Sequence, residues 1–315
     1  ADVDTIVARN FARMVAAGTS AHSDHGRAVA QTLIMAAKGE TTDYQIKDKV
    51  KLLEVAADLG VEIGDRDIND IALEVGERCL AMFGQQEGEL EFGHRAPEKR
   101  QEIWRQLGIF PRGVDREVVE LIHRTTIGVD QDYENILLGA SRCALADGWG
   151  GSMIATELQD ILFGTPEPLE STANLGVLKE DEVNIIVHGH EPLLSEMIVL
   201  AANLPEMQEK AKAVGAKGIN LAGICCTANE VLTRHGVPIA GNVLQQELAL
   251  LTGAVDAMVV DVQCVYQGIG QIASCIHTDI ITTSPKAKMP FARHIEFHED
   301  HALEAAKEIV SAAIE

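Results

Sequence analysis

Three apolar runs in the second half of the chain each lead into a side chain able to hold a metal. Residues 183–187 run into His188-Gly189-His190-Glu191, residues 219–224 into Cys225-Cys226, and residues 255–260 through Asp261-Val262-Gln263 into Cys264. If the runs are parallel strands, every one of these donors stands beyond a carboxyl end, where open α/β sheets bind their ligands. Thiols and imidazoles in that place suit a metal centre hung from the top of a sheet. Adjacent side chains diverge in extended backbone. One cysteine of the Cys225-Cys226 pair is therefore expected to be a ligand and the other to pack. The bland alternative makes both of them small buried hydrophobes. Spacing alone does not choose between His188 and His190, but Gly189 lets the backbone turn tightly beyond the strand.

The first half holds two further groups with chemistry in them. His22 and His25, in Ala21-His22-Ser23-Asp24-His25-Gly26-Arg27, are three apart and share a helical face. Histidine titrates near neutrality, so the pair suits proton transfer, against the plainer reading of a polar stripe on a solvated helix. Asp147 opens the glycine-rich stretch Asp147-Gly148-Trp149-Gly150-Gly151-Ser152, where it is able to cap the following helix. His294, His298 and His301 have helical metal-like spacing, but His294-Ile295-Glu296-Phe297 alternates like a strand and reads as a solvated acidic edge. Cys79, Cys143 and Cys275 fall in helix-like segments and are expected in the core.

The elements that must carry these residues differ between the halves. Residues 3–38 are alanine-rich and form one helix stopped by Gly39, with Gly18 a point of division. Asp43 is placed to cap a helix running to Leu59. Apolar residues at three- and four-residue spacing give a helix through Ile68, Ile71, Val75, Cys79 and Met82. Pro97 suits the first turn of the helix holding Trp104. Two more helices follow, over 115–126 and 132–146, and a glycine turn at 147–151 leads into another that ends near Phe163. The pattern changes at Gly164-Thr165-Pro166-Glu167-Pro168. Beyond it, strands (183–187, 219–224, 255–260, 280–283) alternate with helices (from Pro192, over 227–234, 244–251 and 303–314). The expected fold is therefore α/β overall. An all-helical domain over 1–165 precedes a Rossmann-like parallel-sheet domain over 166–315.

Composition removes several function classes. The chain has 315 residues and a formal net charge of −22, so it repels nucleic acid phosphates and anionic membranes. No apolar run reaches membrane-span length. The six cysteines do not form a small secreted disulfide framework, which favours a reducing, cytoplasmic setting. A dinucleotide site is disfavoured because no strand is followed by Gly-x-Gly-x-x-Gly; Gly268-Ile269-Gly270 lacks the third glycine.

Together, AHSDHGR (21–27), ALADGWGGSMIATELQDILFGTP (144–166), ANLGVL (173–178), VHGH (187–190), GICCTANEVLTRHG (223–236) and DVQC (261–264) resemble the catalytic subunit of anaerobic nickel–iron carbon monoxide dehydrogenases. The resemblance spans nearly the whole chain. It implies reversible oxidation of CO with water to CO2, two protons and two electrons at a nickel–iron–sulfur cluster. It makes His190 and Cys226 ligands of the pendant iron and Cys264 a thiolate on an iron of the cubane part. His22 becomes the general base, His25 the next station for the proton, and Asp147 the acidic residue near the iron-bound water. Ala28 and Gln31 stand at the next two helical steps, where some relatives continue the histidine row.

The resemblance further implies a homodimer and an electron acceptor that is a ferredoxin-like carrier or an acetyl-CoA synthase subunit. Cysteines for additional 4Fe-4S clusters are expected ahead of Ala1. Three more cluster ligands and a lysine are expected after Glu315, so these 315 residues are expected to hold only part of the cluster. Two rival functions stay open: a hybrid-cluster oxidoreductase acting on small nitrogen compounds, and a non-catalytic metal-binding module.

Overall fold

The computed structural model describes residues 2–315. The chain divides into two compact units, one ending at Gly164 and the other spanning Thr165–Glu315.

The first unit is helical: α1 (Val3–Lys38), α2 (Lys49–Asp58), α3 (Ile68–Gly84), α4 (Glu98–Gln106), α5 (Val114–Arg124), α6 (Tyr133–Ala146) and α7 (Ser152–Phe163). Helix α1 is about 54 Å long at 1.5 Å per residue and forms the axis of the unit, with α3, α5, α6 and α7 packed on it. Its buried positions Ala8, Ala12, Ala16, Thr19, Ser23, Gly26 and Ala30 recur every three or four residues and are all small, so the other helices approach closely. Asp2 caps it by accepting the Thr5 N–H at 2.8 Å, and Gly39 ends it at φ 67°. Gly18 does not divide it, since tertiary packing outweighs the cost of about 1 kcal/mol for a helical glycine.

Two local expectations fail for identifiable reasons. The helix expected from Asp43 begins only at Lys49, with Asp48 as its cap. The N–H groups of Lys47 and Asp48 are both taken by the Ile161 carbonyl, at 2.9 and 3.1 Å, and Tyr44 is buried against Phe163. That ties residues 44–48 to α7 and leaves no donors for a helix there. The stretch 147–151 is a single π-helical turn joining α6 to α7, so Asp147 does not cap α7. Its glycines serve close approach. A Cβ on Gly150 would meet Val114 Cγ2 at 2.5 Å, and one on Gly151 would meet the His22 carbonyl at 3.0 Å.

The second unit alternates strands and helices: β1 (Val183–Gly189), α8 (Pro192–Ala202), α9 (Pro205–Ala213), β2 (Ile219–Ile224), α10 (Cys225–His235), β3 (Ile239–Gly241), α11 (Gln246–Leu251), β4 (Ala257–Val260), α12 (Gly268–Ala273), β5 (Asp279–Thr282), β6 (Arg293–His294) and α13 (Ala302–Ile314). The six strands form one sheet in the order β3-β2-β1-β4-β5-β6, and every pairing is parallel. This is the doubly wound order, reversing between β1 and β4. Every residue of β1 is buried, as a central parallel strand requires. Ile186, Ala222, Met258 and Ile280 lie in register and face a core completed by α11 and α12. Helices α8, α10 and α13 pack together, and α10 and α13 also lie against β1. Among the described residues, no helix is long and apolar enough to cross a membrane.

Candidate functional site

Strands β2, β1 and β4 are neighbours in the sheet, so the three donor-bearing segments emerge side by side from its carboxyl edge. His190 follows β1, Cys225 and Cys226 open α10 directly after β2, and Cys264 lies four residues beyond β4. A bridge between Gly189 and Cys225 continues the β1–β2 pairing to the donors themselves. The sheet thus delivers the imidazole of His190 and the thiols to one edge, directly after β1 and β2 and through a short loop after β4.

Under this edge lies a residue that the sequence did not single out as functional. Asp261, 3% exposed, accepts the His190 N–H on Oδ1 at 2.7 Å and the Glu191 N–H on Oδ2 at 2.9 Å. The Thr227 hydroxyl donates to Oδ2 at 3.2 Å, and the Val262 N–H donates to Oδ1. Burial pushes the carboxyl up to about 6, and the N–H bonds from His190, Val262 and Glu191 keep it from rising further. Gly189 has φ 140°, and a Cβ there would stand 2.5 Å from Asp261 Cγ and 2.9 Å from the Val262 carbonyl oxygen. The glycine is needed for the approach of the carboxylate as well as for the turn.

The two adjacent cysteines differ in setting. Cys225 is half-buried against the core of the α11–α12 face, while Cys226 and Cys264 are exposed. Burial, with the nearby Cys264 and Cys226 thiols, pushes the Cys225 thiol up to about 12. Burial also raises Cys226 above the ordinary thiol value, helped by Cys264 and Glu230. Cys225, Gln263 and Cys264 have φ of 66°, 65° and 59°, a left-handed conformation that costs non-glycine residues energy. Such strain persists only where surrounding contacts hold it.

His188 takes no part in the exposed edge. It is 1% exposed and shares Nε2 with Gln246 Oε1 at 3.2 Å. Burial lowers its pKa, partly offset by the Gln246 bond. Gln246, itself fully buried, also accepts the Tyr266 N–H at 3.2 Å and donates to the carbonyls of Val243 and Cys264 at 2.7 and 3.3 Å. This pair fastens the Cys264 loop from the α11 side.

In the helical unit, His22 Nδ1 and Asp147 Oδ1 are 2.5 Å apart, although 125 residues separate them in sequence. The Ser152 hydroxyl donates to the same carboxylate oxygen at 2.9 Å. A carboxylate oxygen accepts, so in this pair His22 Nδ1 is the donor, and the bond fixes which way the ring faces. His25, 5% exposed, lies one turn further along α1, and Gln159 Nε2 donates to its Nε2 at 2.6 Å. Ser152 and Gln159 are therefore site residues that sequence reading missed, because nothing in their spacing pairs them with histidines on another helix.

Other histidine and cysteine candidates resolve differently. Cys79 and Cys143 are buried in the helical unit, but Cys275 is exposed just beyond α12, against the expectation of a core position. His294 shares Nδ1 with the Thr282 hydroxyl at 3.0 Å, and its Nε2 stands 3.5 Å from Glu296. His298 pairs with the same glutamate at 3.3 Å, and the 293–297 segment continues the edge of the sheet. Among the described residues, no three His, Cys, Asp or Glu side chains already stand in a metal-holding arrangement. The donors at the carboxyl edge nevertheless fit a soft-metal group in kind. They are thiols and an imidazole on neighbouring strand ends, the Cys226 and Cys264 thiols are exposed, and left-handed backbone holds Cys264 and the Cys225 that precedes Cys226.

The sequence profile of the Prismane/CO dehydrogenase family matches residues 1–315. Carbon monoxide dehydrogenase 1 of Methanosarcina mazei is 57% identical over all of this chain, which covers 50% of that protein. Carbon monoxide dehydrogenase 1 of Carboxydothermus hydrogenoformans is 48% identical, with the same coverage of both. Among solved structures, a nickel-free carbon monoxide dehydrogenase from a Thermococcus species superposes with a TM-score of 0.96 at 53% identity, over 100% of this chain and 50% of its own. The chain spans about half the length of the curated relatives it matches.

Proposed function

This chain belongs to the Prismane/CO dehydrogenase family, and from that premise we propose that it works in a carbon monoxide dehydrogenase. In this reading His190, Cys226 and Cys264 hold a nickel–iron–sulfur centre, and the reaction is CO + H2O ⇌ CO2 + 2H⁺ + 2e⁻. One observation chiefly supports it: an imidazole and thiols follow three laterally adjacent parallel strands, at the edge where such sheets bind ligands. When bound, the group would supply a metal that polarises CO, an ion that acidifies water, and a sink for two electrons.

The protein's own residues supply the proton chemistry. His22 accepts a proton at Nε2, with Asp147 holding the ring through Nδ1 and Ser152 holding Asp147. The carboxylate also stabilises the imidazolium that results. His25, fixed by Gln159, is the next group on the same face of α1. At the sheet edge, the exposed Cys226 and Cys264 thiols bind as thiolates, and Cys225 packs beneath them. The same reading carries a cytoplasmic homodimer that passes electrons through further 4Fe-4S clusters to a ferredoxin-like carrier or an acetyl-CoA synthase subunit. A relative named carbon monoxide dehydrogenase/acetyl-CoA synthase subunit beta, from Moorella thermoacetica, supports the second acceptor.

The test uses the complete polypeptide. His190→Ala, Cys226→Ala and Cys264→Ala are expected to lose nickel and iron together with CO-dependent reduction of a viologen dye. His22→Ala and Asp147→Asn are expected to keep their metals and lose about 10²–10⁴-fold in turnover, the usual contribution of a positioned general base. Unchanged metal content and turnover in the first three variants would refute the ligand assignment. Iron without nickel in the parent protein, and no response to CO, would instead favour the hybrid-cluster function.

A further inference from the structure

We infer that Asp261 is a positioning residue that sets the spacing of the three donor segments. This rests on the metal-centre reading above and adds a residue to it. The carboxylate is buried at the point where the ends of β1, β2 and β4 converge, and it bonds to something on each. His190 and Glu191 belong to the segment after β1, Thr227 to the first turn of α10, and Val262 to the loop that leads to Cys264. The backbone around it is shaped to admit it. The Asp261 N–H donates to the His188 carbonyl at 3.2 Å, continuing the β1–β4 ladder, and Gly189 leaves out the Cβ that would collide with the carboxylate.

Four donors on two oxygens match a carboxylate and no neutral side chain of the same shape. An aspartate accepts on both oxygens; an asparagine turns an N–H2 group toward at least one N–H donor. The cost of losing the match falls on the donors. His190 is held through its own backbone N–H, and Gln263 and Cys264 sit in left-handed backbone directly after the bonded Val262. Without the clamp, the carboxylate bonds that tie the start of this loop to the segment after β1 are lost, and those two residues are freer to relax towards extended backbone. The Gln246 bond to the Cys264 carbonyl, at 3.3 Å, holds only the α11 side. Residues that orient metal ligands in this way typically alter metal affinity by 10–100-fold when changed.

Two variants test this in the complete polypeptide: Asp261→Asn, and Thr227→Val, which keeps shape and removes one donor. The readouts are nickel and iron per chain at graded metal supply, the electron paramagnetic resonance spectrum of the loaded protein, and thermal melting by circular dichroism. Asp261→Asn is expected to need about 10–100-fold more metal for half-loading. Thr227→Val is expected to melt close to the parent and to show an altered spectrum in its loaded fraction. A residue that served folding alone would lower the melting temperature and leave that spectrum unchanged.

Parental half-loading and a parental spectrum in both variants would overturn the inference. If Asp261→Asn does not fold, the spectrum of Thr227→Val decides by itself. His190→Ala and Cys264→Ala are run alongside. If they lose metal while the two clamp variants keep it with a parental spectrum, only the clamp fails. If they too keep their metal, the metal-centre reading fails and the clamp with it.

Discussion

Gly26→Ala separates two opposing effects by sign. Gly26 lies inside the 36-residue helix α1, where replacing glycine with alanine should stabilise by about 1 kcal/mol on helix propensity alone. The structure opposes that gain. A Cβ at position 26 would stand 2.7 Å from the Gly151 carbonyl oxygen and 2.8 Å from Phe83 Cζ. Carbon contacts are most favourable at about 3.5–4.0 Å, so the Phe83 ring would have to retreat by about 1 Å. Phe83 is fully buried, and Gly151 belongs to the π-helical turn that carries Asp147, so neither moves without disturbing its neighbours. Overpacking of this kind costs about 1–3 kcal/mol, and more where backbone is in the way. With a backbone carbonyl among the clashing atoms the cost lies at the upper end of that range, so packing wins, with a net loss of about 1–2 kcal/mol once the helix gain is subtracted. Both tryptophans, Trp104 and Trp149, lie in the helical unit and pack edge-to-face at 5.9 Å. Urea unfolding followed by tryptophan fluorescence therefore reads this unit directly. A variant as stable as the parent, or more so, would refute the argument that α1 and the π-helical turn meet through glycines.

Two further outcomes follow from the ionisable groups. Glu120 faces Arg112, Arg116, Arg124 and Arg142. Burial alone would raise its carboxyl, but the Arg112 and Arg124 bonds and the Arg142 charge hold it at about 2, well below the ordinary 4.5. The folded value is depressed, so its stabilisation is full above pH 4.5 and lost as pH falls through about 2. The shift is worth at most about 3 kcal/mol, and solvent screening around the partly exposed arginines reduces that to about 1–2 kcal/mol. Urea titrations should show Glu120→Gln less stable than the parent by that amount at pH 6, with the gap closing by pH 2; a gap that does not change with pH would refute the assignment. In metal-free protein at pH 8, maleimide followed by peptide mapping should label Cys226, Cys264 and Cys275 first. Cys79 and Cys143 should react only after unfolding, because burial pushes both thiols up, Cys143 to about 11. Metal loading should protect Cys226 and Cys264 and leave Cys275 reactive, and protection of Cys275 instead would count against the assignment.

The central strands were legible because a strand covered on both faces reads as a nearly continuous apolar run; β4 is apolar throughout, and only Asn184 and His188 interrupt β1 and Asn220 interrupts β2. The outer strands were not. Ile239–Gly241 and Arg293–His294 have three and two residues, too few to show alternation, and they are strands only because a neighbour offers ladder partners. Helix α9 was also missed: its nine residues expose four of the five charged or amide side chains it carries, leaving Met207 and Ala211 as the buried contacts. The glycines at 148–151 were legible as glycines and misread as a turn. Their purpose, at Gly150 and Gly151, is to let Val114 and His22 approach, and those residues are distant in sequence.

The same division runs through the candidate site. Donor identity is a matter of residue type at a strand end, and both can be read along the chain. Donor placement depends on which side chains converge from different strands, and on that the sequence is silent. Asp261 shows the difference most clearly. In sequence it is one of 48 acidic residues, three positions before a cysteine. In the fold it is a buried carboxylate collecting bonds from the ends of three strands. His22 and Asp147 make the parallel case in the helical unit, where a hydrogen bond across 125 residues orients an imidazole on a helix face. In both places a carboxylate holds the group that would react, and in both a hydroxyl, from Thr227 or Ser152, holds the carboxylate. Because the bond reaches Asp261 from a different strand end and Asp147 from its own helix, removing the hydroxyl should disturb the spacing between segments at the first and only the ring orientation of His22 at the second.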